Sequence, residues 1–135
     1  MRIESVMSRK GPEGRDRARP DLGAAAVELA LVVTLLSALL FGIMQFGYTF
    51  FEYGEVVAAA REGARSASIG KTDVEVRQRT VSASPGLDAA SLTLTIVKTT
   101  DSTRVTVTYP RTQLVPLPMV VLPDVLTATA EMKME

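Results

Sequence analysis

The chain of 135 residues has the size of one small domain, alone or with an appended segment. It carries 15 Lys and Arg against 15 Asp and Glu and has neither His nor Cys. Its balanced charge gives no support to nucleic-acid binding, and zinc, haem, Ser-His-Asp, thiol and disulfide chemistry all lose their usual groups.

Hydrophobic residues make up 47% of the chain and aromatics only 5%, and this apolar mass is concentrated in one stretch. Residues 1–23 come first and hold six bases (Arg2, Arg9, Lys10, Arg15, Arg17 and Arg19) and four acids (Glu4, Glu13, Asp16 and Asp21). From Ala24 to Phe51 the only charge is Glu28, and Leu29–Phe51 is a run of 23 uncharged residues. A helix of that length reaches about 34 Å, enough to cross a hydrocarbon core of about 30 Å. After the span come Glu52 and Glu55, with no base before Arg61. Counting Lys and Arg on the two flanks keeps the N-terminus cytoplasmic. The expected organisation is a cytoplasmic basic leader over 1–23, a transmembrane helix over 24–51 and an extracytoplasmic α+β domain over 52–135. The apolar run is too long for a cleavable secretory signal, and the small residues stand before it, at Gly23–Ala26, rather than after it.

Helical character continues beyond the membrane through Ala58, Ala59, Ala60, Ala64 and Ala67, with Gly70 as a stop. One helix from about Leu22 to Ile69 is expected. It carries two rows of small residues at spacing four: Ala59, Gly63 and Ala67, and Ala60, Ala64 and Ser68. Such rows admit close backbone approach, either to another subunit or to the chain's own second helix. Arg61 and Arg65 read most simply as a solvated face, with contact to anionic headgroups or a neighbouring subunit as the alternative. Thr72-Asp73-Val74-Glu75 fits a capping box opening a short helix to about Ala83, before the breaker Ser84-Pro85-Gly86. Val74, Arg77 and Val81 roughly share a face of it.

The period then changes to two. Leu92, Leu94 and Ile96 alternate with Thr93, Thr95 and Val97, and Val105, Val107 and Tyr109 with Thr106 and Thr108. Thr100–Thr103 reads as the hairpin turn between them. A third strand sets Leu126, Ala128, Ala130 and Met132 against Thr127, Thr129 and Glu131. These elements make a three-stranded antiparallel sheet with one apolar face covered by the helices. Between strands two and three, Leu114–Pro123 is apolar with three prolines, which argues against a central strand. It reads first as the closure of an open end of the small core; lying on the membrane surface or docking a partner are the other readings.

Three stretches carry a family resemblance. Gly23-Ala24-Ala25-Ala26-Val27-Glu28, between a basic leader and an apolar helix, resembles the class III leader of type IV pilin-like proteins. Phe41-Gly42-Ile43-Met44-Gln45-Phe46-Gly47, followed by Ala58-Ala59-Ala60-Arg61-Glu62-Gly63-Ala64-Arg65, looks like the TadE-like proteins of tight-adherence (Tad/Flp) pilus systems. Leu126–Met132 looks like that family's closing segment. The resemblance implies a pseudopilin or minor pilin with a pilin-like α+β fold. It implies cleavage by a prepilin peptidase between Gly23 and Ala24, leaving Glu28 as the fifth residue of the mature chain. It further implies that Glu28 pairs within the membrane with the new α-amino group of a neighbour. The implied partners are the peptidase, other Tad pilus subunits, the inner-membrane assembly platform and the lipid bilayer. Leu29 stands where the major Flp pilins have Tyr, which speaks against the main filament subunit.

No catalytic, cofactor or metal site is expected. Lys71, Lys98 and Lys133 form no motif with Ser, the acids are scattered, and Gly11, Gly14 and Gly23 follow no strand. The expected role is therefore structural, in pilus assembly. An uncleaved single-pass membrane protein, whose outer domain binds an envelope complex, is the alternative.

Overall fold

A computed structural model describes residues 18–114 and 122–134, with side chains from Leu22 onward. The leader before Ala18 and the centre of the Leu114–Pro123 stretch lie outside the described residues. The described elements are α1 (Ala18–Ser68), α2 (Asp73–Ser82), β1 (Thr93–Lys98), β2 (Ser102–Pro110) and β3 (Val125–Lys133). This is the α+β fold expected, a long apolar N-terminal helix, a short second helix and an antiparallel sheet of order β1-β2-β3.

The chain divides into two compact units at Leu39 and Leu40. In the first, the described residues are helix, and their side chains from Leu22 to Leu39 are exposed except for half-buried Ser37. The most apolar 18 residues of α1 have a mean hydropathy of 2.4 and none is buried, which separates this helix from the core helix of a soluble domain.

The second unit holds the rest of α1, α2 and the sheet. Gly70 ends α1 with φ of +77°, where its missing Cβ removes the steric penalty. Its N–H donates to the Ala67 carbonyl at 3.2 Å and that of Lys71 to the Ser66 carbonyl at 3.3 Å, a Schellman closure. The capping box forms as expected. The Thr72 N–H donates to Glu75 Oε2 at 3.1 Å, and the Glu75 N–H donates to the Thr72 hydroxyl at 3.4 Å. Helix α2 buries Val76 and Thr80 rather than the Val74 face, and Val74 is 78% exposed. The reason lies in α1: α2 rests against Gly63, where only a short side chain such as Thr80 fits.

In the sheet the two-residue alternation is obeyed. Thr103, Val105, Val107 and Tyr109 of β2 are buried, as are Leu126 and Ala128 of β3, while Leu94, Ile96, Ala130 and Met132 are partly covered. Val107 stands opposite Leu94 and Ala128, and Val105 opposite Ile96 and Ala130. The other face carries polar cross-strand pairs: Thr106 with Thr129 at 3.0 Å, and Arg104 with Glu131 at 2.9 Å. The apolar face packs with Val56, Ala59, Ala60, Ala64 and Ala67 of α1 and Val76 of α2 in one core.

Candidate functional site

The small residues of α1 are turned inward in this chain. Ala59, Ala60, Gly63, Ala64 and Ala67 are all buried within the second unit. A Cβ on Gly63 would lie 2.7 Å from Thr80 Oγ1 and 3.0 Å from Val105 Cγ1, so helix, second helix and strand meet there at minimal separation. Gly23, Ala24 and Glu28 are exposed on α1, and nothing stands within 4 Å of the Cβ position of Gly23. The Gly23–Ala24 bond lies inside helix, five residues past the first described helical residue, Ala18.

Two grooves open beside α1. One, of about 780 Å³, runs between α1 and α2 and gathers Arg61, Arg65, Lys71 and Arg79 around Glu62 and Glu75. Arg79 reaches Glu62 at 3.8 Å and Lys71 reaches Glu75 at 3.6 Å; such exposed pairs are weak. Hydrogen bonding from the Thr72 backbone, then from its hydroxyl, and the nearby Lys71 charge hold the Glu75 carboxyl below its ordinary value of 4.5. With four bases against two acids, the groove suits an acidic surface. The other groove, of about 530 Å³, lies between Tyr53, Val57 and Ala60 of α1 and the edge strand β3.

A cluster on α1 also went unread in the sequence. Gln45, Thr49 and Glu52, at spacings of four and three, are buried beneath the segment that follows β2. The Thr112 N–H donates to Glu52 Oε2 at 3.1 Å, Gln45 Nε2 donates to the Thr112 carbonyl at 3.1 Å, and the Leu114 N–H donates to Gln45 Oε1 at 2.8 Å. Gln45 Nε2 also lies 3.3 Å from the Thr49 hydroxyl. Glu52 is 1% exposed, and its Oε1 has no hydrogen-bond partner among the described residues. The signal was available as three polar residues on one face of an apolar run, but hydropathy averaging hides them. The compact unit begins at Leu40, so this cluster lies across the sequence-drawn boundary at residue 52. No group of acids among the described residues gathers as a metal site.

A long apolar helix leading into a small α+β domain is the architecture of a membrane-anchored protein. The model of the TadE-like protein family matches residues 23–65, so this stretch of the chain is similar to that family. A search of the curated proteins and one of the solved structures each gave no match.

Proposed function

We propose that the protein is a pseudopilin or minor pilin acting in assembly of a Tad pilus, cut after Gly23 by a prepilin peptidase and without catalytic activity of its own. In this reading it is a single-pass protein of the cytoplasmic membrane, N-terminus inside and C-terminal domain outside. Its partners are the peptidase, other pilus subunits and the assembly platform. The observation that carries the proposal is the TadE-like match, which starts at Gly23 itself and includes Glu28. The base-rich leader supports the orientation, and the cationic groove between α1 and α2 supports docking to an acidic partner surface.

Intact mass of the membrane-extracted protein, expressed with its peptidase, tests the processing. A chain starting at Ala24 has 135 − 23 = 112 residues. The wild type is expected at that length, and Gly23→Val at full length, because a branched side chain crowds the scissile bond. Full-length protein in both would sink the cleavage step. One observation favours the second reading, an uncleaved membrane protein with an outer binding module. The Gly23–Ala24 bond lies within helix, and a peptidase must unwind it locally before cutting.

A further inference from the structure

The segment of α1 from Gln45 to Val56 is amphipathic in the inverted sense. Gln45, Thr49, Glu52 and Val56 point into the domain, while Phe46, Phe50 and Tyr53, at the same spacings one residue on, are exposed. Phe50 is 69% exposed, and Phe51 is half exposed beside it. A water-facing helix buries its apolar stripe and shows its polar one. Here the polar stripe is inside and the aromatic stripe outside, which is the arrangement lipid requires.

The second observation is the backbone of the segment after β2. This stretch is irregular, and irregular backbone is tolerated at membrane depth only where protein groups satisfy it. Here they do: the N–H and C=O of Thr112 and the N–H of Leu114 are all taken by the Gln45 and Glu52 side chains. The Arg111 side chain, mostly buried, donates to the Pro123 carbonyl at 2.8 Å, and the Arg111 N–H donates to the Asp124 carbonyl at 2.9 Å. The Leu114 end of the apolar 114–123 stretch is thus held to this part of α1, and the Pro123 end to Arg111.

Lengths agree. A helix over Ala24–Met44, 21 residues, reaches about 31 Å and covers the hydrocarbon core by itself. Residues 45–53 rise about 13 Å more, through and beyond a headgroup layer of about 5–7.5 Å, the region where aromatic side chains gather in membrane proteins.

We infer that the outer domain is seated in the lipid interface, with Phe46, Phe50 and Tyr53 facing lipid and the Arg111–Leu114 segment held at headgroup depth by Gln45 and Glu52. This rests on the membrane-anchored reading above. The occupant of the aromatic face is phospholipid, because that face continues the apolar sequence run of the span, Leu29–Phe51.

The chain has no Trp, so each single substitution supplies a lone indole reporter. Full-length Leu36→Trp, Phe50→Trp, Leu114→Trp and Val74→Trp variants, all at exposed positions, are reconstituted in phosphatidylethanolamine–phosphatidylglycerol vesicles. Quenching is read with acyl chains brominated near the headgroup or near the chain end. The inference expects Leu36→Trp to be quenched best by the deep bromines and Phe50→Trp and Leu114→Trp by the shallow ones, with Val74→Trp unaffected. Quenching of Leu36→Trp alone overturns the seating and leaves the anchor standing. Blue-shifted but unquenched emission from Phe50→Trp also overturns it, by showing that protein covers the face. If Leu36→Trp is itself unquenched, the membrane-anchored reading fails.

Discussion

Gly63 offers the sharpest test of how α1 meets the rest of the domain. Replacing a helical Gly by Ala ordinarily stabilises by about 1 kcal/mol, because Gly gives up more backbone freedom on folding. At Gly63 the added methyl would stand 2.7 Å from Thr80 Oγ1 and 3.0 Å from Val105 Cγ1, against ordinary carbon contacts of about 3.5–4.0 Å. Neither neighbour yields easily. Thr80 is fully buried and its hydroxyl donates to the Val76 carbonyl at 2.8 Å, while Val105 is fully buried between two strands. Forcing an extra carbon into such a place costs about 1–3 kcal/mol, which exceeds the propensity gain at most of that range. Gly63→Ala is therefore expected to be destabilised by up to about 2 kcal/mol. Gly54→Ala, where nothing stands within 4 Å of the new methyl, gains up to about 1 kcal/mol. Thermal unfolding of the detergent-solubilised full chain, followed by tyrosine near-UV circular dichroism, reads both. Thr80→Ala removes the closest atom, so the Gly63→Ala/Thr80→Ala pair is expected to couple favourably in a double-mutant cycle. Gly63→Ala as stable as Gly54→Ala, or additive with Thr80→Ala, would refute the close packing of α1 on α2 and β2.

The remaining predictions concern the cap and the membrane carboxylate. Thr72→Ala removes the N-cap and is expected to cost about 1 kcal/mol in the same unfolding assay. Because the folded Glu75 carboxyl titrates below its ordinary value of 4.5, its contribution is present above that pH and is lost as pH falls through the folded value. The Glu75→Gln variant is therefore expected to lack that part of the acid sensitivity, and identical acid titrations of variant and wild type would contradict the capping account. Glu28→Gln keeps size and hydrogen bonding without the charge. It is expected to be inserted and cleaved but poorly incorporated, giving fewer pili per cell at equal protein level, and normal piliation would remove the charge from assembly.

Strong local rules were legible in the sequence. Alternating Thr and apolar residues gave three strands and most of their buried face, because a strand's side chains have no choice but to alternate. Ser102 and Thr103, read as part of the hairpin turn, belong instead to β2, with Thr103 fully buried. The Thr72–Glu75 box and Gly70 marked helix ends that need no tertiary context. The α2 face was not legible. Its pattern offered Val74 and Val81, yet Val76 and Thr80 are buried, because what decides is the shape of Gly63 on another element. The Gln45–Thr49–Glu52 cluster was hidden for a related reason. Its partners are backbone groups of Thr112 and Leu114, 60 to 69 positions away, and backbone groups leave no trace in residue identity.

Helix α1 shows why the resemblance to pilin-like proteins is concentrated where it is. Against lipid, any apolar residue of suitable length serves, so Leu29–Leu39 specifies little beyond hydropathy. Against the sheet, a single carbon at Gly63 is already too much, so the Ala58–Arg65 stretch must keep its small residues in place. In the strands, alternation can be met by many Thr–Val–Ala arrangements, and all three strands, the Leu126–Met132 stretch included, lie beyond the matched residues 23–65. The match ends three residues before α1 does. The matched residues 23–65 thus lie wholly within α1 and take in its Gly23–Glu28 stretch, its apolar run and most of the narrow face on which the α+β domain closes.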